Sequence, residues 1–190
     1  LLVPRSADPP HSLADTPPRG DFFLATVDAQ RSDSGRPRFE SLQEGPVPVD
    51  DPTDATMQSP TWAALTPHMR VLLVGVPHDG ELQGREAAST GMVLADDEVR
   101  EALLELARAG DSEAAIPYDS VAEAFVEAPA TRGMSGGGAF DGQGHLVGVL
   151  VRATDRHPTR KLVRVVRMSW IVAELDRARA ALPEALRARV

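Results

Sequence analysis

The sequence predicts an all-β chain, a barrel or sandwich of short strands with helical additions. Three observations carry that reading. Apolar, β-branched runs of strand length recur after residue 60, turn residues bound each run, and helical periodicity appears only in two stretches.

Ten of the 16 prolines fall within the first 60 residues, mixed with Asp, Ser, Thr and Gly. Such a composition buries little apolar surface and reads as loop or linker. One island interrupts it, Phe22-Phe23-Leu24-Ala25-Thr26-Val27, a strand-length run after Gly20-Asp21. Val71 to Val76, bounded by Pro67 and Pro77, reads as a buried strand, and Ala87 to Leu94 as a weaker one. From Asp96 to Ala109 the period changes: Val99, Leu103, Leu106 and Ala107 make one stripe, acids crowd the first turn, Arg108 sits in the last, and Gly110 can stop the helix. Ser120 to Val126 returns to strand-like alternation. Ala139-Phe140, the turn Asp141-Gly142-Gln143-Gly144 and Leu146 to Val151 form a hairpin pattern. Lys161 to Met168 is the last strand. Ser169 is placed to cap a final helix with Ile171, Leu175, Ala178 and Leu182 on one face.

Composition removes several classes. The 190 residues are 42% hydrophobic and 25% charged, enough for one compact domain or two small ones. No run approaches the length of a membrane-spanning helix. The absence of cysteine excludes a disulfide scaffold, a Cys-ligated metal and a Cys nucleophile. No ligand cluster has metal-binding spacing, so no cofactor is expected. A net charge of −8 argues against a nucleic-acid binder. The charge is uneven, because the residues from Arg152 onward hold ten basic and four acidic side chains, a local +6. Leu2-Val3-Pro4-Arg5 resembles a thrombin-type linker site and no signal pattern is present, so a further upstream segment is expected. The compartment is not readable from the chain.

The most informative stretch is Arg132-Gly133-Met134-Ser135-Gly136-Gly137-Gly138-Ala139-Phe140. Three glycines after a serine are poor helix and poor strand material, and they fit a backbone that turns sharply and leaves room for a close approach. A serine on such a turn can act as a nucleophile, with neighbouring N–H groups aimed at a developing oxyanion. An ordinary glycine-rich loop is the plain alternative.

The segment from Gly133 to Val149 resembles the nucleophile region of chymotrypsin/trypsin-like serine proteases, most of all their disulfide-free bacterial members of the HtrA type. The family pattern is Gly-x-Ser-Gly-Gly-Pro, an apolar pair, a short turn and a Val-Gly-Val/Ile strand. Here Gly138 stands where the family has proline. Gly20 to Val27 is similar to the element that carries the family's aspartate, and Val71 to Pro77 to an early strand of its second barrel. Asp21 precedes Ser135 by 114 residues, about twenty more than in the family template, an excess that the helix at 96–109 explains.

The resemblance implies a chymotrypsin-like double β-barrel, its first barrel incomplete in this chain, with a short inserted helix and a C-terminal helix. Residues 1–60 would be a remnant of the first barrel and a Pro-rich linker, 61–168 the second barrel with the nucleophile, and 169–190 the terminal helix. It further implies a serine endopeptidase acting on peptide or protein substrates, with Ser135 as nucleophile and Asp21 as the acid that orients the base. The amides of Gly133 and Ser135 would form the oxyanion hole, and Val151, Arg152 and Ala153 would line the substrate pocket. Arg152 there hints at an acidic or polar substrate residue.

The base is the gap. The family's histidine precedes its aspartate by about 45 residues, and only 20 residues precede Asp21. His11 lies among prolines, His68 and His78 flank a strand, His145 sits at a hairpin turn and His157 precedes Pro158. The favoured explanation is a histidine upstream of residue 1 or on a second chain. The others are a histidine of this chain moved into the role, and a catalytically inactive protease-like module that binds peptide. Gly133 to Gly137 also satisfies the nucleophile elbow of α/β-hydrolases, but that motif requires a following helix. Gly137-Gly138 and a hairpin oppose one, and the acid and base that should come later are reduced to Asp155, Asp176 and His157 within a short stretch.

Overall fold

The computed structural model describes residues 62–78, 85–130, 133–154 and 160–181, without the side chains of residues 179 and 181. The Phe22–Val27 run and Asp21 lie outside them.

Six strands form one closed antiparallel barrel: β1 (Arg70–Gly75), β2 (Ala87–Val93), β3 (Glu123–Glu127), β4 (Gly138–Phe140), β5 (Leu146–Ala153) and β6 (Leu162–Arg167). Around the barrel their order is β1-β2-β3-β6-β5-β4, and β4 pairs back onto β1. The strand alternation explains why the barrel fills. Val71, Leu73, Val93, Ala124, Val126, Ala139, Val147, Leu150, Val163 and Val165 belong to one buried cluster. Each such Val or Leu contributes about 1.5–3 kcal/mol through area removed from water. Small residues serve where strands crowd: a Cβ on Gly148 would collide with the side chain of Val165 on β6.

Helix α1 (Asp96–Ala109) connects β2 to β3 and spans the residues its periodicity predicts. Its acidic first turn and Arg108 in the last turn suit the helix dipole. At the start, the Ala95 N–H donates to Glu98 Oε2 at 2.7 Å. At the end, Gly110 takes φ +71°, the left-handed cap that a Cβ would penalise. Val99 and Leu106 of the expected stripe are buried and Leu103 is half-buried, but Ala107 is exposed and Ala102 is buried instead. The helix lies outside the barrel, against Phe125 and Leu162 of β3 and β6, so the face is set by those two side chains.

Helix α2 (Met168–Ala181) follows β6 without a break. Ser169 therefore sits inside the first turn rather than capping it. Ile171 anchors the helix on Val151 and Val166, with Trp170 and Leu175 packed beside them. Leu182 lies outside the described residues.

A short 3-10 turn at Ser112–Ala115 was not legible in the sequence. It covers the most unusual core feature, Arg164. This β6 side chain is fully buried, and its guanidinium donates to Glu113 Oε2 at 3.1 Å and Glu123 Oε2 at 2.6 Å, and to the carbonyls of Glu113, Ile116 and Pro117. It also stacks over Phe125, 4.7 Å from the ring centre. Every direction a guanidinium can donate is thus used, which makes its burial tolerable. Burial pushes the Glu113 carboxyl above its ordinary range, against the pull of Arg164.

Candidate functional site

The Ser135 turn is built by three backbone ties. Gly137 N–H donates to the Met134 carbonyl at 3.0 Å, Gly136 N–H to the Leu150 carbonyl at 2.8 Å, and Leu150 N–H to the Gly137 carbonyl at 2.8 Å. Gly133 and Gly136 have φ of +98° and +88°. Both conformations disfavour a Cβ, and at Gly133 a Cβ would also strike His78. The glycines are thereby explained by local geometry: the turn doubles back on itself while His78 closes over one side.

Ser135 is exposed, and its Oγ donates to the Val151 carbonyl at 2.9 Å. That carbonyl is available because β5 bulges there. Leu150 pairs with Val165 and Arg152 with Arg164, which leaves Val151 as the extra residue. The bulge lets two successive carbonyls, those of Leu150 and Val151, face the Ser135 turn, where a regular strand would send them to opposite sides. Met134, on the other side of the serine, is buried in the barrel core and anchors the turn.

A cleft of about 270 Å³ opens beside the serine. Gly133, Met134 and Ser135 form one wall, and Leu150, Arg152, Ala153 and Thr154 another. Ala130, Lys161 and Val163 complete it. Thr154 Oγ1 accepts from the Leu162 N–H at 3.1 Å, which holds the end of β5 to the start of β6. Among the described residues, no backbone hydrogen bond of the turn uses the N–H of Gly133 or Ser135.

The residues expected at the site divide as follows. Gly133, Ser135, Arg152 and Ala153 meet at this cleft. Val151 brings its carbonyl to Ser135, while its side chain lies under α2 with Val166 and Ile171. Asp21 lies outside the described residues, as do His11 and His157. Lys161, Thr154, Ala130 and Val163 line the cleft but were not singled out from sequence. A weak signal existed for Lys161, the only lysine in the chain, at the head of a strand run.

Three histidines are described. His145 stands across the β4–β5 turn from Asp141, with Nδ1 3.0 Å from Oδ2. The other Asp141 oxygen accepts from the Gln143 and His145 N–H groups, so the aspartate shapes the turn. Burial pushes the Asp141 carboxyl up, but these bonds from His145 and Gln143 outweigh it and hold the carboxyl below its usual range. His68, at φ +60°, is exposed and lies 3.8 Å from Glu98 on α1. His78 packs on Gly133 and is exposed. The Ser135 hydroxyl bonds to a carbonyl, and to no imidazole among the described residues.

Among the described residues no group of three or more His, Asp or Glu side chains is arranged to hold a metal ion. No described helix is long and apolar enough to cross a membrane.

No family model and no curated protein matches the chain. Among solved structures, the chain is similar to the inactive form of Rv3671c from M. tuberculosis H37Rv, carrying a serine-to-alanine change, at 15% identity and a TM-score of 0.41, with 64% of this chain and 52% of that one covered. It is also similar to the MamO protease domain from Magnetospirillum magneticum in its apo form, at 19% identity and a TM-score of 0.35, covering 60% of this chain and 50% of that one. The chain therefore spans about half the length of the solved structures it matches.

Proposed function

We propose that the chain is the nucleophile-bearing part of a chymotrypsin-like serine endopeptidase. The observation that carries the reading is an exposed Ser135 on a positive-φ glycine turn, its Oγ steered by the Val151 carbonyl to the mouth of a cleft. In this reading Ser135 Oγ attacks the scissile carbonyl while a histidine takes its proton. The amides of Gly133 and Ser135 stabilise the oxyanion, the C–N bond breaks, and the amine leaves with the proton from the histidine. Water then hydrolyses the ester on Ser135. Asp21 orients the histidine, which comes from a segment upstream of residue 1 or from a second chain. Arg152 and Ala153 belong to the substrate pocket. No metal or organic cofactor enters.

The test is covalent labelling. A form extended N-terminally by its genomic sequence should react with a fluorophosphonate at Ser135, located by peptide mass mapping, and Ser135→Ala should abolish the adduct. Absence of an adduct in the extended form overturns the reading.

A second reading has one observation in its favour: no imidazole among the described residues bonds to Ser135. In that reading the barrel is a catalytically inactive module that binds peptide at the same cleft. It predicts peptide binding without labelling.

A further inference from the structure

Among the described residues, the cleft beside Ser135 is lined by charge of one sign. Its charged lining residues are Arg152 on β5 and Lys161 just before β6, and among the described residues no carboxylate lines it. Four acids of the barrel wall pair with other arginines: Glu113 and Glu123 with Arg164, and Glu105 and Glu127 with Arg160. Glu113 feels the charge of Arg152, yet it belongs to the 3-10 turn, pairs with Arg164 and is not part of the cleft wall. Thr154 adds a hydroxyl whose oxygen accepts from Leu162, which leaves its proton for donation.

We propose that this cleft takes an acidic side chain, glutamate or aspartate, of a bound polypeptide. The proposal rests on the reading above in placing the substrate chain across Ser135. Its size fits: about 270 Å³ lies just under the ~300 Å³ at the small end of ligand clefts and suits one side chain. Its walls fit as well, since Ala130, Ala153 and Val163 provide an apolar sleeve for the methylenes. The guanidinium, ammonium and hydroxyl supply donors for the carboxylate and nothing that accepts a substrate cation.

The experiment measures binding, so it does not depend on turnover. Ser135→Ala in the 190-residue chain is titrated by fluorescence anisotropy with hexapeptides blocked at both ends, differing at one central position: Glu, Asp, Gln, Leu or Lys. The expected result is that the Glu or Asp peptide binds at least about tenfold more tightly than the Gln isostere at low salt, with the preference shrinking as salt rises. Lys161→Gln, at an exposed position that leaves the fold undisturbed, should cut the preference at least about threefold, and Lys161→Glu should move it toward the Lys peptide. The proposal is overturned if the Gln peptide binds as tightly as the Glu peptide, if no peptide binds, or if the preference survives both Lys161→Gln and Arg152→Gln. The two ideas fail separately. Labelling of Ser135 in the extended form without an acidic preference removes this proposal alone. An acidic preference without labelling removes the hydrolase and leaves an acidic-peptide site.

Discussion

Arg152 and Arg164 stand directly across from each other on β5 and β6, two cations on one face of the same strand pair. They meet opposite environments. Arg164 is sealed beneath the 3-10 turn with two carboxylates, while Arg152 is half-buried and lines the cleft. Like charges opposite each other on a sheet repel. Glu113 feels both cations, so its carboxylate offsets the repulsion from inside the wall.

Arg164→Leu should therefore be among the most damaging single changes in the barrel. It strips the buried Glu113 and Glu123 of their ion-pair partner, a loss of about 3–5 kcal/mol readable in chemical denaturation. The triple change Arg164→Leu, Glu113→Gln, Glu123→Gln should recover much of that loss. Recovery no better than the single change would mean that shape, not charge, sets the cost.

Ser135→Ala should leave stability almost untouched, within about 1 kcal/mol, because the lost bond is made by an exposed side chain. A melting curve near that of the unchanged chain, together with loss of labelling, separates chemistry from folding.

Gly133→Ala carries two penalties, a left-handed backbone and a clash with His78. A cost of at least about 1–2 kcal/mol follows from the backbone alone. Labelling of Ser135 should fall with it, since His78 or the turn must move. A variant as stable and as reactive as the parent contradicts this account of the loop.

The Asp141 turn should give the fold an acid limit. Its carboxyl is held below the ordinary value, so the stability it adds is fully present above the unfolded value, about pH 3.9, and is lost as pH falls through the folded value. Glu113 acts in the opposite sense: raised in the fold, it adds stability at low pH that is lost as pH rises through its folded value. Asp141→Asn should flatten the first dependence and Glu113→Gln the second. Denaturation midpoints measured from pH 2 to 8 check both.

Much of the barrel is legible in the sequence because its signals are local. The β1, β2 and β6 runs, the α1 boundaries and the β4–β5 hairpin follow from period, turn chemistry and Gly110. What could not be read depends on distance. Arg164 reads as a polar interruption of an apolar strand, and only the fold brings Glu113 and Glu123 to it across 51 and 41 residues. The buried stripe of α1 is set by Phe125 and Leu162, which the helix's own period does not contain. At the candidate site, the motif around Ser135 is contiguous and therefore visible, whereas Lys161 and Val163 reach the cleft from another strand. The bulge at Val151 leaves no compositional trace, and yet the orientation of the serine hydroxyl depends on it.

The three-residue strand that follows the Ser135 turn is also the seam of the barrel. Only Gly138, Ala139 and Phe140 stitch β4 to β1, and through β5 they hold the cylinder shut. So short a zipper, like the two-pair seam between β2 and β3, is where the cylinder should breathe first, and its amides should exchange with deuterium ahead of those in the five-pair seam that joins β3 to β6. Anything seated against Ser135 clasps that zipper from outside. Occupancy of the cleft should thus be legible as slower exchange along β4, which makes one short closure of the barrel its own reporter.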